Sequence, residues 1–334
     1  KNDSLFFTFH IFDIDIKAKI NDTILEGVYT KNYFPDYELP FKAHFGKKIF
    51  KNSENFNLNI TNKWDMTFYG EHNLDTTKAV GIFNTLDSKL SGTILTPIGD
   101  YRYLDGLISK NDFTLNSFDG NHAFIFDGKM KSDSAFSGTF YSGKTFKENF
   151  TAVKNNAIEL KNANELTFLK EGYEKLAFTF PDLKGKLVSL NDEKYKNKAL
   201  IVQIFGTWCP NFMDESKFYQ QWFLKNSHRN VEIIGLAYEA NDDFNYAKQR
   251  VEKMKGKLGI TYDFLIAGTS DKKEASKTLP MLNHIMSFPT SIFIDKKGNI
   301  RKIHTGFSGP ATGKYYDDYV QEFSIFIETL LSEE

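Results

Sequence analysis

The single cysteine of the chain, Cys209, stands in a sequence context that suits nucleophilic chemistry. The continuous apolar run at residues 199–205 predicts a strand covered on both faces. Pro210 is typical of the first turn of a helix, so Cys209 is expected where the strand ends and the helix begins. A helix N-terminus stabilises a thiolate, and the thiolate is the form that attacks disulfides. The alternative is that Cys209 is a small buried apolar side chain.

Composition excludes several other kinds of site. One cysteine in 334 residues rules out an internal disulfide and any zinc or iron–sulfur site built from several cysteines. The 42 basic and 43 acidic side chains nearly cancel, which argues against nucleic acid or a membrane surface bound through a broad charge field. The sequence contains no run of about 18 apolar residues, so it predicts no transmembrane segment. We therefore expect no metal and no other cofactor.

Residues 1–154 carry the pattern of an antiparallel β domain. Short alternating segments recur along this part of the chain, separated by turns such as Asp105-Gly106 and Asp127-Gly128. In residues 63–68 apolar and polar side chains alternate strictly, as a half-buried strand requires. The spacing predicts an all-β sandwich or a barrel-like domain. Three roles stay open for this domain: it holds substrate near Cys209, it mediates pairing, or it acts as a spacer from the membrane.

The pattern changes after this domain. Residues 155–175 are polar, with Leu166, Leu169 and Tyr173 at helical spacing, and they predict a helical linker. In residues 176–334 strands alternate with helices, and a βαβ start is followed by βαββα. This order predicts an α/β thioredoxin fold for the C-terminal domain.

The C-terminal domain resembles the TlpA/ResA-type thioredoxin-like disulfide reductases of the bacterial cell envelope, in the forms that carry an extra N-terminal β domain. The resemblance covers roughly residues 176 to 331. It rests on four stretches, of which the last runs from Asp295 through Phe307: Phe180-Pro181-Asp182-Leu183, Gly206-Thr207-Trp208-Cys209-Pro210, Ser287-Phe288-Pro289-Thr290, and Asp295-Lys296-Lys297-Gly298-Asn299 with Thr305-Gly306-Phe307.

The resemblance implies roles for particular residues. Cys209 would be the nucleophile, and Pro289 would form a cis peptide bond that faces it. The backbone beside Pro289 would dock an extended substrate segment, and this assigns substrate binding to Trp208, Pro210, Phe288, Pro289 and Thr290. Glu215, six positions after the nucleophile, would assist proton transfer at a second cysteine. The alternatives are a trans turn proline at Pro289 and an ordinary exposed helix glutamate at Glu215.

Phe212 departs from the family motif, Cys-x-x-Cys, at the second cysteine position. A dithiol protein releases its substrate when the second cysteine attacks the mixed disulfide, and a phenyl ring cannot do this. A mixed disulfide on Cys209 would therefore need an external thiol reductant, and Glu215 would lack the thiol it serves. The ring would either pack against the sheet, which the frequency of buried aromatics favours, or form an apolar platform beside Cys209.

Two functions are consistent with these residues. The first is a thiol–disulfide oxidoreductase-like protein that forms mixed disulfides with protein substrates through Cys209. The alternative is a thioredoxin-fold module that binds proteins or extended peptide segments without redox cycling, so whether the protein is an enzyme stays open. The resemblance implies a location in the cell envelope or periplasm, with an anchor in an N-terminal segment that was removed.

Overall fold

The computed structural model describes residues 3–34, 36–46, 58–70 and 75–333. The chain divides into two compact units. The first contains Lys1–Thr96 and Tyr101–Glu159, and the second contains Pro97–Asp100 and Leu160–Glu334. The short segment 97–100 therefore belongs to the second unit, although its flanking residues belong to the first.

The first unit begins with a four-stranded antiparallel sheet in the order β1-β2-β3-β4. Its strands are β1 (Ser4–Phe9), β2 (Ile14–Asn21), β3 (Ile24–Lys31) and β4 (Glu38–His44). The strands that follow are β5 (Asn62–Tyr69), β6 (Thr76–Leu86), β7 (Lys89–Thr96), β8 (Gly99–Asp100), β9 (Leu104–Ser109), β10 (Asp112–Phe118), β11 (Ala123–Ser132), β12 (Ala135–Ser142) and β13 (Phe146–Lys154).

All of these later strands except β8, which groups with the second unit, close into an antiparallel barrel. They pair in the order β6-β5-β13-β12-β11-β10-β9-β7, and β6 also pairs with β7. Alternation fills the interior: Trp64, Met66 and Phe68 of β5 are buried, whereas the residues between them are partly exposed. The predicted all-β, barrel-like fold is confirmed.

The second unit has the thioredoxin fold that the sequence predicts. Its central sheet has the order β18-β17-β16-β19-β20, in which β16, β17 and β18 run parallel and β19 is antiparallel to both of its neighbours, β16 and β20. The strands are β14 (Thr179–Pro181), β15 (Leu187–Ser189), β16 (Ala199–Phe205), β17 (Val231–Glu239), β18 (Asp263–Thr269), β19 (Thr290–Ile294) and β20 (Ile300–Thr305). The helices are α1 (Pro210–Asn226), α2 (Phe244–Leu258), α3 (Lys272–Thr278) and α4 (Lys314–Ser332).

The predicted helical linker is wrong, because residues 155–175 form turns and extended chain without a helix. Asparagine side chains explain the difference, since they bond to nearby backbone in place of a helical ladder. Asn155 accepts from the N–H of Ala157 at 3.0 Å, and Asn162 accepts from the N–H of Asn164 at 3.0 Å. Leu169, expected on a helix face, instead forms a β-bridge with Leu282.

Candidate functional site

Cys209 lies at the junction of β16 and α1, where it is the N-cap residue of the helix. Its backbone is extended, with φ −93° and ψ 115°, and Pro210 begins the helix. The side chain is 9% exposed, and its thiol donates to the carbonyl oxygen of Phe288 at a distance of 3.0 Å. The helix N-terminus favours the thiolate, whereas this hydrogen bond requires the thiol proton. Loss of the Phe288 contact would therefore promote ionisation.

The loop that receives this hydrogen bond contains a cis peptide bond between Phe288 and Pro289. The carbonyl of Pro289 accepts from the N–H of Gly306 at 2.9 Å. Thr290, at the start of β19, is fully buried and donates through its hydroxyl to the carbonyl of Ser287 at 2.8 Å. The buried Thr290 side chain therefore stabilises the backbone of the cis-proline loop through this hydrogen bond.

Trp208, directly before Cys209, contacts both β17 and the cis-proline loop. Its indole N–H donates to the carbonyl of Tyr238 at 3.1 Å. Its ring meets the ring of Phe288 edge to face, with centroids 5.5 Å apart. The structure therefore brings Trp208, Phe288 and Pro289 together around Cys209, with Pro210 buried in the first helical turn.

Phe212 packs into the core, as the favoured sequence interpretation predicts. The side chain is fully buried, and its ring stacks on Phe205 with a centroid separation of 4.0 Å and an interplanar angle of 18°. The alternative, an apolar platform beside Cys209, is wrong. The ring fills space under α1 rather than presenting a surface to substrate.

Glu215 is fully buried on the inner face of α1, so the alternative of an exposed helix glutamate is wrong. Its carboxylate accepts from the amide of Gln203 at 2.7 Å and from the hydroxyl of Ser291 at 2.9 Å. Burial raises the pKa of Glu215 to about 7, and these two hydrogen bonds oppose the shift. A carboxyl group of this pKa can hold or release a proton near neutral pH.

Glu239, which the sequence analysis did not identify, fastens the loop that leads to Cys209. Its buried carboxylate accepts from the N–H of Thr207 at 2.9 Å and from the hydroxyl of the same residue at 2.8 Å. Burial raises the pKa of Glu239 to about 7, and the Thr207 hydrogen bonds and the charge of Arg250 oppose the shift. Its position at the end of β17 could have identified it from the sequence. The carboxyl ends of the parallel strands β16 and β17 lie at the same edge of the sheet, so Glu239 is expected near the loop that follows β16.

Lys272, the first residue of α3, is a second residue that the sequence analysis missed. Partial burial lowers the pKa of Lys272, and attraction to the Cys209 thiolate opposes this shift. Lys272 therefore lies close enough to Cys209 for their charges to interact. A cation at this position stabilises the thiolate.

Raising the pH is expected to remove the stabilising contribution of the buried Glu215 carboxyl group. The pKa of Glu215 is about 7 in the folded protein against an ordinary value of 4.5. Between these two pKa values the folded state therefore binds more protons than the unfolded state. The stabilising contribution of Glu215 is fully present below pH 4.5 and is lost as the pH rises to about 7. For this carboxyl the free energy of unfolding should fall by about 1.4 kcal/mol per pH unit in that window.

Urea unfolding at a series of pH values measures this slope. The Glu215→Gln variant should show a flatter profile, whereas Glu252→Gln, which changes an exposed carboxylate on α2, should match the parent protein. An unchanged slope in Glu215→Gln would contradict the expectation.

Within the described residues, no three His, Cys, Asp or Glu side chains come together as a metal-binding group. The helices of the same described ranges include none that is long and apolar enough to cross a membrane.

Residues 172–303 match the family model described as the AhpC/TSA family. The thiol-disulfide oxidoreductase ResA of Bacillus thuringiensis subsp. konkukian (strain 97-27) is 28% identical over 156 residues, which cover 46% of this chain and 78% of ResA. The thioredoxin-like protein YneN of Bacillus subtilis (strain 168) is 25% identical over 138 residues, covering 41% of this chain and 73% of YneN.

Among solved structures, a thiol-disulfide oxidoreductase from Bacteroides fragilis NCTC 9343 is 22% identical, covers 44% of this chain and 99% of its own, and superposes with a TM-score of 0.32. A thiol:disulfide interchange protein from Chlorobium tepidum TLS is 24% identical, with coverage of 45% and 97% and a TM-score of 0.34. The second unit is thus a thioredoxin-like unit that matches the AhpC/TSA family over residues 172–303, and its curated relatives include thiol-disulfide oxidoreductases.

Proposed function

We propose that the protein is a thiol–disulfide oxidoreductase that acts through one cysteine, Cys209, on extended segments of protein substrates. The observation that carries this proposal is the 3.0 Å contact between the Cys209 thiol and the Phe288 carbonyl. This contact sets the nucleophile directly against the cis-proline loop. A peptide that docks on that loop through its backbone would bring its disulfide to Cys209.

The exchange proceeds in three steps. The Cys209 thiolate attacks one sulfur of a substrate disulfide, forms a mixed disulfide with it and releases the other sulfur as a thiolate. An external thiol, as its thiolate, then attacks the Cys209 sulfur of this mixed disulfide, so that the substrate leaves as a second thiolate and Cys209 stays bonded to the external thiol. A second equivalent of the external thiol attacks its own kind in that disulfide and restores the Cys209 thiolate. Phe212 offers no second thiol, so the external thiol is obligatory.

The site supports thiolate formation in two ways. Cys209 is the N-cap residue of α1, where the helix dipole stabilises negative charge. Lys272 adds a nearby cation. The rings of Trp208 and Phe288 meet edge to face beside Cys209 and give the site apolar surface for a substrate segment.

We also propose a location in the cell envelope or periplasm. The motifs at Trp208-Cys209-Pro210 and Phe288-Pro289-Thr290 support it, because they resemble those of envelope thioredoxin-like reductases. In such a compartment disulfides form and persist, so substrates for this exchange are available.

The burial of Cys209 favours the second candidate function, a module that binds peptides without redox chemistry. In that case the thiol keeps its proton and its bond to Phe288, and the groove between Trp208 and Pro289 holds a peptide. The two candidates differ in whether Cys209 reacts.

Alkylation of folded protein with iodoacetamide across a pH series decides between them, with Cys209→Ser as the blank. We expect the rate to rise with a midpoint below about pH 8.5, the value of an ordinary thiol. We also expect one equivalent of a peptide mixed disulfide to be trapped on Cys209. Slow labelling with a midpoint at or above that pH, together with no trapped peptide, would favour the binding module.

A further inference from the structure

The segment Pro97–Asp100 groups with the second unit and contacts Asn211, two residues after Cys209, and Ser287, one residue before Phe288. We name the following residues the docking strip: Ser287 to Pro289, Gly306 to Gly309, and Asn211. We propose that residues 97–100 are a built-in pseudosubstrate that occupies the docking strip and must leave before an extended peptide can bind. The inference rests on the proposed function, because it assigns regulation to the same site.

At the cis-proline loop, the segment binds through its backbone. The buried hydroxyl of Ser287, directly before Phe288, donates to the carbonyl of Ile98 at 2.9 Å. Gly306 has φ +79°, and a Cβ added there would come within 2.9 Å of the Ile98 carbonyl carbon. The backbone of the segment therefore passes directly over Gly306, whose N–H is bonded to Pro289.

At the start of α1, two groups hold the other end of the segment. The side-chain amide of Asn211, two residues after Cys209, donates to the carbonyl of Asp100 at 3.2 Å. The carboxylate of Asp100 accepts from the N–H of Gly309 at 2.7 Å. Gly99 has φ +144°, and a Cβ there would lie 2.2 Å from the Asn211 amide nitrogen, so no other residue fits this close approach.

These contacts are of the kind that an extended peptide makes when it is recognised through its main chain. They use the Ser287 hydroxyl, the Asn211 amide and the Gly309 N–H, so a peptide that needs the same donors competes with the segment. The apparent affinity for such a peptide is then the intrinsic affinity multiplied by the fraction of molecules in which the strip is open. Weakening the segment should raise that fraction.

The test uses the full chain and one probe peptide in two forms. A short unstructured peptide with one cysteine, carried as its mixed disulfide with thionitrobenzoate, reports exchange through the release of the coloured thiolate. The same peptide with serine in place of cysteine and a fluorescent label reports docking by anisotropy. Amide hydrogen exchange at Gly309 reports whether the segment has left.

Asp100→Ala removes the charge-assisted bond to Gly309 and should raise peptide affinity about tenfold, with faster exchange of the Gly309 amide. Ser287→Ala removes a donor that the segment and the peptide share, so it should speed exchange of the Gly309 amide without a gain in peptide affinity. Asp105→Ala, an equal loss of charge at an exposed position on β9, should match the parent protein. Peptide affinity that stays the same or falls in Asp100→Ala while Gly309 loses protection would overturn the proposal. If the disulfide probe reacts with no variant, the proposed redox function fails, and the anisotropy measurement still decides the role of the segment.

Discussion

Replacing Phe212 with cysteine is expected to convert the protein into one that completes disulfide reduction without an external thiol. Residues 209 and 212 lie three positions apart at the start of α1, and side chains at this spacing lie on the same side of a helix. The new thiolate would attack the Cys209 sulfur of the mixed disulfide, release the substrate as a thiol and leave a bond between the two cysteines. After the substrate has been released, mass spectrometry of the Phe212→Cys protein should show a mass lower by two hydrogens than that of its reduced form.

The matched control is Phe212→Ser, which removes the same ring and supplies no thiol. Both changes empty the space against Phe205, so both should lower the free energy of unfolding by about 3–5 kcal/mol. Only the cysteine variant should release substrate from a preformed mixed disulfide in the absence of added thiol. Equal release by the two variants would contradict the single-cysteine mechanism.

Glu239→Ala should cause a large loss of stability. Glu239 and Arg250 are 1% and 3% exposed, and the charge of Arg250 acts on the Glu239 carboxylate. Alanine leaves the buried N–H and hydroxyl of Thr207 without their acceptor, at a cost of about 1–3 kcal/mol for each group. With both hydrogen bonds lost, the loop before Cys209 should loosen and alkylation of Cys209 should become faster.

Urea unfolding of Glu239→Ala and of the parent protein, at a pH above the Glu239 pKa of about 7, measures the loss in free energy of unfolding. Glu252→Ala is the control, since this carboxylate on α2 is 51% exposed and its loss should change stability by at most about 0.5 kcal/mol. Glu239→Gln keeps an acceptor for Thr207 and should fall between Glu239→Ala and the parent protein. A loss in Glu239→Ala as small as in the control would show that the hydrogen bonds to Thr207 contribute little to stability.

Local patterns predicted the parts of this structure that depend on neighbouring residues. The apolar run before Cys209 and the proline after it correctly predict the junction of β16 and α1. The alternation around Trp64 and Phe68 correctly predicts a half-buried strand of a barrel-like domain. The helical spacing of three apolar residues wrongly predicts a helix in the linker, because the side chains of Asn155 and Asn162 bond to nearby backbone and form turns there.

By itself, then, the amino-acid sequence determined the two fold classes and the position of Cys209, since periodicity, turn residues and a first-turn proline act over a few residues. Only the tertiary structure decided what surrounds the thiol. Glu239 reaches Thr207 across 32 residues of sequence, and Ser287 reaches Ile98 across 189. Such contacts arise when the sheet and its loops bring distant backbone together, and no local pattern encodes them. Burial follows from the same packing, which is why Glu215 lies inside the protein on a helix whose sequence is compatible with an exposed glutamate.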